Sequence, residues 1–185
     1  MHMDCGATKK ACDVTHGDIL QDGGHIRCVV RTDSVDNKAT LARVVIEGKE
    51  LLLTPHHPIL YKSEWVFPIN VGTLVEVTCA SVFSYLVENV ENVDNANQES
   101  NTYSSTMVVN GITCATLAHG VKNVPNLSHD FFGTDAIVKA LEKCEGFGDG
   151  LVVFKMCDQG KESFLIRDSI TNDVCGIALE KEIRV

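Results

Sequence analysis

The stretch "LLLTPHHPIL", Leu51 to Leu60, runs three leucines into a threonine, a proline and a histidine pair, then closes on a second proline and a second apolar pair. The leucine run reads as a strand leaving a core. Pro55 and Pro58 fix φ on either side of the histidines and so limit the entropy lost in holding one geometry. Thr54 and His57 stand at i and i+3 across Pro55, and on a tight turn both side chains can point into one small volume. A hydroxyl and an imidazole aimed at one backbone amide can polarise it and protonate its nitrogen as it leaves. The same spacing also suits an ordinary polar turn, so the surrounding chain has to decide between the two.

Outward from this stretch, short apolar runs rich in β-branched residues recur at 26–30, 40–47, 50–54, 73–79, 82–88, 106–110, 151–156, 163–167 and 174–179. Turn signals separate them: Asp22-Gly23-Gly24, Glu47-Gly48-Lys49, Asn110-Gly111 and Gly148-Asp149-Gly150. The pattern predicts an all-β chain of short strands. One segment departs from it. "GTDAIVKALEKCEGFG" opens with Thr134 as an N-cap and Asp135 in the first turn, and Gly146 can supply a left-handed stop, which predicts one short helix near 134–145. The polar, acidic run "ENVENVDNANQESN" at 88–101 reads as a long hairpin tip. No internal repeat is visible. The expectation is a single domain over 1–185, with a possible C-terminal sub-lobe from about 121.

Composition narrows the function. Sixteen Lys and Arg against 25 Asp and Glu give a net charge of -9, which argues against a nucleic-acid or anionic-membrane partner. No apolar run approaches the roughly 20 residues of a membrane span. Eight cysteines are scattered without a C-x-x-C pair, the spacing that zinc ribbons and thioredoxin-type sites need. They read as free or buried thiols, which favours a cytoplasmic, reducing setting. The scattered carboxylates show no paired metal-ligand spacing. "MHM" at the start reads as an appended tag.

"LLLTPHHPI" resembles the second conserved block of Hint domains, the fold shared by inteins and the autoprocessing region of Hedgehog proteins. The chain is similar in particular to the Vint subgroup, found in von Willebrand A-containing proteins. The matching pieces are "THGDIL", "CVVRT", "CASVFSYLV", "MVVNGITCATLAHG", "HDFFGT" and "LIRDSITNDVCGI", in one order over roughly residues 8 to 180. The resemblance implies a Hint-type horseshoe of short antiparallel strands and a self-processing reaction that needs no cofactor. A cysteine at the domain's first position attacks the carbonyl before it and forms a thioester. Thr54 would polarise the scissile amide and His57 would protonate its nitrogen, while His56 falls on a variable position. The substrate would be the protein's own flanking polypeptide.

Three departures stand against that pattern. The family's opening cysteine lies about twenty residues before the Gly17-Asp18 pair, whereas Cys5 is only about a dozen ahead, so the nucleophile is expected to lie upstream of this stretch. The His that often begins the strand before "VVNG" is replaced by Ser105 or Thr106. Inteins end on a His-Asn pair; here His119 is followed by Gly120, so asparagine cyclisation is excluded at that site, although His119 stays a candidate site residue. Asn110-Gly111 is an easy succinimide pair, but its apolar flanks make it first of all a hairpin turn.

The leading expectation is therefore an autoprocessing domain acting once by N–S acyl shift, inactive without its cysteine. The alternative is a degenerate Hint scaffold serving as a protein-interaction module. A thiol dyad of Cys114 with His119 and a kinase reading of "DFFGTD" are weaker; the latter lacks a glycine-rich loop and a lysine-bearing strand.

Overall fold

The computed structural model describes residues 1–89, 106–156 and 164–178, and the statements that follow concern those residues. Twelve strands and one α-helix follow one another in the order β1 (His25–Asp33), β2 (Lys38–Ile46), β3 (Lys49–Leu53), β4 (Ile59–Tyr61), β5 (Glu64–Val66), β6 (Thr73–Thr78), β7 (Ser81–Glu88), β8 (Thr106–Val109), β9 (Ile112–Ala115), α1 (Asp135–Leu141), β10 (Leu151–Lys155), β11 (Leu165–Arg167) and β12 (Val174–Ile177). The fold is all-β. Its strands form a β10-β1-β7 sheet, a β3-β2-β6 sheet, a β5-β4-β9-β8 sheet and a β11-β12 pair. Every pairing is antiparallel except β1 with β10, where Val29 to Asp33 run alongside Leu151 to Lys155 in the same direction.

The β1–β7 pair is a wall with a core on each side. Ile26 and Val29 of β1 and Tyr85 and Val87 of β7 face a first core with Val44, Ile59, Met107, Ile112 and Cys114. Cys28, Val30 and Leu86 face the other way, onto Ile137, Val138 and Leu141 of α1 and onto Val152, Val174 and Ile177. Burial on both faces explains why "IRCVV" and "YLV" read as continuous apolar runs and not as alternation. A register shift between Ile26 and Cys28 lets β1 serve both sides. Each fully buried side chain here, Ile59 and Leu86 among them, contributes about 1.5–3 kcal/mol relative to exposure.

The helix is shorter than the sequence predicts. Thr134 caps it as expected, its Oγ1 accepting from the Ala136 N–H at 3.3 Å. Past Leu141, however, the backbone tightens into turns in which Lys143 and Cys144 donate to Ala140 and Leu141. Gly146, at φ +84, then turns the chain back, and its Cα faces the Leu151 carbonyl so closely that a Cβ would not fit. Met1 and Met3, which read as part of a tag, are 6% and 3% exposed in the first core. Met3 bridges to Leu20 and His2 to Thr8, and the resulting hairpin is clamped by Lys9 to Asp18 at 2.7 Å. The expected tip at 88–101 falls, from residue 90 onward, outside the described residues.

Candidate functional site

Thr54 leaves β3 directly into a β-turn in which the His57 N–H donates to the Thr54 carbonyl at 3.2 Å. Two further backbone bonds hold the turn from outside. Ile69, in the short 3₁₀ turn Pro68–Asn70, donates to the Pro55 carbonyl at 3.0 Å, and Ala115 at the end of β9 donates to Pro58 at 3.0 Å. The two prolines supply φ without needing their own donors, so the turn loses no hydrogen bond by containing them. Thr54 and His57 are thus fixed by neighbours on both sides, and each is half-buried.

The imidazole of His57 is itself anchored. Its Nε2 lies 3.0 Å from the Ala115 carbonyl oxygen. A carbonyl only accepts, so Nε2 carries the hydrogen and Nδ1 is the ring nitrogen left for other chemistry. Burial pushes the His57 pKa below the ordinary 6.5, opposed by the Ala115 carbonyl, so the ring is neutral at pH 7. His56, by contrast, is exposed and meets Phe67 edge-on at 5.6 Å between centroids.

Ala115 was invisible to sequence reasoning because its contribution is a backbone carbonyl; only the strand pairing places it. That pairing also locates a replaced family residue. Ser105 lies outside the described residues, but Thr106 opens β8 directly across from Ala115. The position where the family often has a histidine is therefore next to the residue that anchors His57.

His119 goes elsewhere. Ala118 and Gly120 adopt φ of 56 and 71 on either side of it, a non-glycine left-handed residue at Ala118 that marks a forced turn. Ala118 and Gly120 donate to the Phe132 and Gly133 carbonyls at 2.8 Å, seating His119 beneath the "HDFFGT" loop with 4% exposure. Its Nδ1 accepts from the Val121 N–H at 3.1 Å, and its Cε1 and Nε2 stand where a Cβ on Gly133 would be, at 2.8 and 2.9 Å. Burial lowers its pKa, opposed by a bond to the Leu127 backbone and reinforced by His129. His129 accepts at Nδ1 from the Phe131 and Phe132 amides at 3.1 and 3.2 Å. Both rings therefore organise the loop ahead of α1.

The cysteines sort in the same way. Cys5 sits exposed at the N-terminal hairpin turn, its N–H bonded to Asp4 Oδ1 at 2.7 Å. Cys114 is buried opposite Ile59, and burial pushes its thiol up to about 12. Cys114 belongs to the first core while His119 lies under the loop of the second, so the structure does not assemble that dyad. Asn110 and Gly111, at φ 49 and 74, form the two-residue turn between β8 and β9. Among the described residues no group of three or more His, Cys, Asp or Glu could hold a metal ion, and no helix is long and apolar enough to cross a membrane.

One family model, described as Vint, a Hint-domain, matches residues 2–176. No curated protein matches the chain.

Proposed function

The chain belongs to the Vint family of Hint domains, and from that premise we propose that it is an autoprocessing domain acting on its own polypeptide by N–S acyl shift. The observation that carries the reading is the clamped turn: Thr54 and His57 on one rigid loop, with the His57 ring oriented by the Ala115 carbonyl at 3.0 Å. Orientation of this kind supplies rate by holding acid and substrate in one geometry before reaction.

In this reading a cysteine thiol attacks the carbonyl carbon of the peptide bond preceding it. The C–N bond breaks and a C–S bond forms, while the unprotonated His57 Nδ1 takes up the thiol proton and passes it to the departing nitrogen. Thr54 polarises the scissile amide. Water or a thiol then attacks the thioester and releases the upstream segment. Two of the described cysteines are poorly suited to the first step, since Cys114 and Cys28 are buried thiols pushed up to about 12 and about 11. The reading therefore calls for an accessible attacking cysteine, which in a longer polypeptide would stand upstream.

The test is an intact-mass time course on a polypeptide extended upstream through that cysteine, with and without hydroxylamine. Hydroxylamine should release the upstream segment from the wild type, and His57→Ala should leave the precursor whole. An unbroken precursor that behaves identically in both would remove this reading in favour of a scaffold that only binds.

A further inference from the structure

A groove of about 420 Å³ opens between the N-terminal hairpin and β3, within the size range of pockets that hold a small ligand or a few residues. Lys9, Lys10 and Ala11 from the N-terminal side, Glu50 and Leu52 of β3, and Asn110 line it. The geometry points to a strand-addition site in which the polypeptide to be processed docks in extended form along the free edge of β3. This rests on the autoprocessing reading and names where its substrate lies.

The register of β3 supplies the first argument. The two-residue turn Glu47-Gly48 makes Ile46 and Lys49 a hydrogen-bonded pair, and the pairing then alternates, so Lys49, Leu51 and Leu53 bond to β2. Glu50 and Leu52 consequently aim their N–H and C=O away from β2. β3 is the terminal strand of its sheet among the described residues. One outward group is already used, because Asn110 Nδ2 donates to the Glu50 carbonyl at 2.7 Å. The Glu50 N–H and both backbone groups of Leu52 remain as hooks for an incoming strand.

Charge pairing supplies the second. Lys9 is held by Asp18 at 2.7 Å and Glu50 by Arg43 at 3.2 Å, which leaves the exposed Lys10 as the lining charge outside an ion pair among the described residues, and an uncharged strand with apolar side chains at alternate positions meets no like charge there. Continuity supplies the third. Thr54 follows Leu52 by two residues, about 7 Å along a strand, so a segment on this edge is directed at the Thr54–His57 turn. Met1 lines the same groove, and the Met1 and Lys9 backbones already exchange bonds of 2.7 and 3.0 Å in the antiparallel manner.

The experiment uses the intact 185-residue chain and two probes, a capped pentapeptide alternating serine and valine and its fully N-methylated twin. Amide NMR should show shifts at Lys10, Glu50 and Leu52 with the first peptide and none with the twin, and slower exchange of the Leu52 amide proton. Leu52→Pro removes an outward N–H while leaving the β2 ladder intact, and should weaken binding about five- to tenfold, the equivalent of one backbone hydrogen bond. Val45→Thr, at an exposed outward position, should leave binding unchanged. Equal shifts with both peptides, no shift at millimolar peptide, or indifference to Leu52→Pro overturns the proposal. So does sedimentation showing a dimer that Leu52→Pro dissolves, which would assign the edge to a second copy. The twin comparison stands even where Leu52→Pro does not fold. Docking is read here without any bond cleavage, so a failure of the groove and a failure of autoprocessing are separate results.

Discussion

Gly133→Ala asks what His119 is for. A Cβ on Gly133 would lie 2.8 Å from His119 Cε1, 2.9 Å from its Nε2 and 2.8 Å from the His129 carbonyl oxygen. The carbonyl is backbone and cannot swing aside, and His119 can move only by giving up the Val121 N–H held at 3.1 Å. Overpacking of this kind costs about 1–3 kcal/mol and the lost bond about 1 more, so a total of about 2–4 kcal/mol is expected. For a chain of this length that corresponds to a Tm lower by about 5–15 °C. Urea titration and thermal circular dichroism read both quantities. Gly148→Ala is the matched control, since nothing lies within 4 Å of its added Cβ, and it should fall within about 0.5 kcal/mol of wild type. If Gly133→Ala is as stable as Gly148→Ala, His119 is not packed against the loop and the structural role assigned to it fails. In the self-processing assay, His119→Ala should then lose stability before it loses rate, whereas His57→Ala should do the reverse.

Two further outcomes follow from the ionisable groups. The pKa values of His57, His119 and His129 are all lowered below 6.5, so an unfolded chain takes up protons first on acidification; Tm should hold above pH 6.5 and decline below it. The buried thiols of Cys28 and Cys114 are raised from 9.0 to about 11 and about 12, so the unfolded chain ionises first on the alkaline side and Tm should decline above pH 9; a Tm constant from pH 5 to 10 would refute both arms. Long-range proton–nitrogen NMR should find His57 neutral at pH 7 with its hydrogen on Nε2; a hydrogen on Nδ1 would break the anchoring by Ala115.

The strands that were legible are those with a pattern long enough to read. Nine apolar runs coincide with β1, β2, β3, β6, β7, β8, β10, β11 and β12 within a few residues. β4 and β5 escaped because they have three residues each and are joined through Lys62 and Ser63, at φ 49 and 66, where no glycine or asparagine announces a hairpin. β9 was foreshadowed only by the Asn110-Gly111 turn and its apolar flanks. The parallel partnership of β1 with β10 was beyond reach, since both runs are apolar and pairing direction leaves no mark on composition. At the site, the Thr54 to His57 turn could be read because proline and histidine spacing is a side-chain signal. The anchor at Ala115 could not, and neither could the seat of His119, which depends on the missing Cβ of Gly133.

The shared wall of β1 and β7 also sets an order of events in folding. Neither core can close until the two strands meet, and residues 34–80 lie between them; β10 must then cross back to β1 over residues 34–150. Long-range pairing pays its loop-closure entropy before contacts repay it, so slow refolding is expected, with the wall as its nucleus. Substitutions in Val29 or Leu86 should slow refolding, while those in α1 should chiefly speed unfolding. The same topology leaves strand edges bare while the chain waits, which exposes the half-folded domain to pairing with other chains.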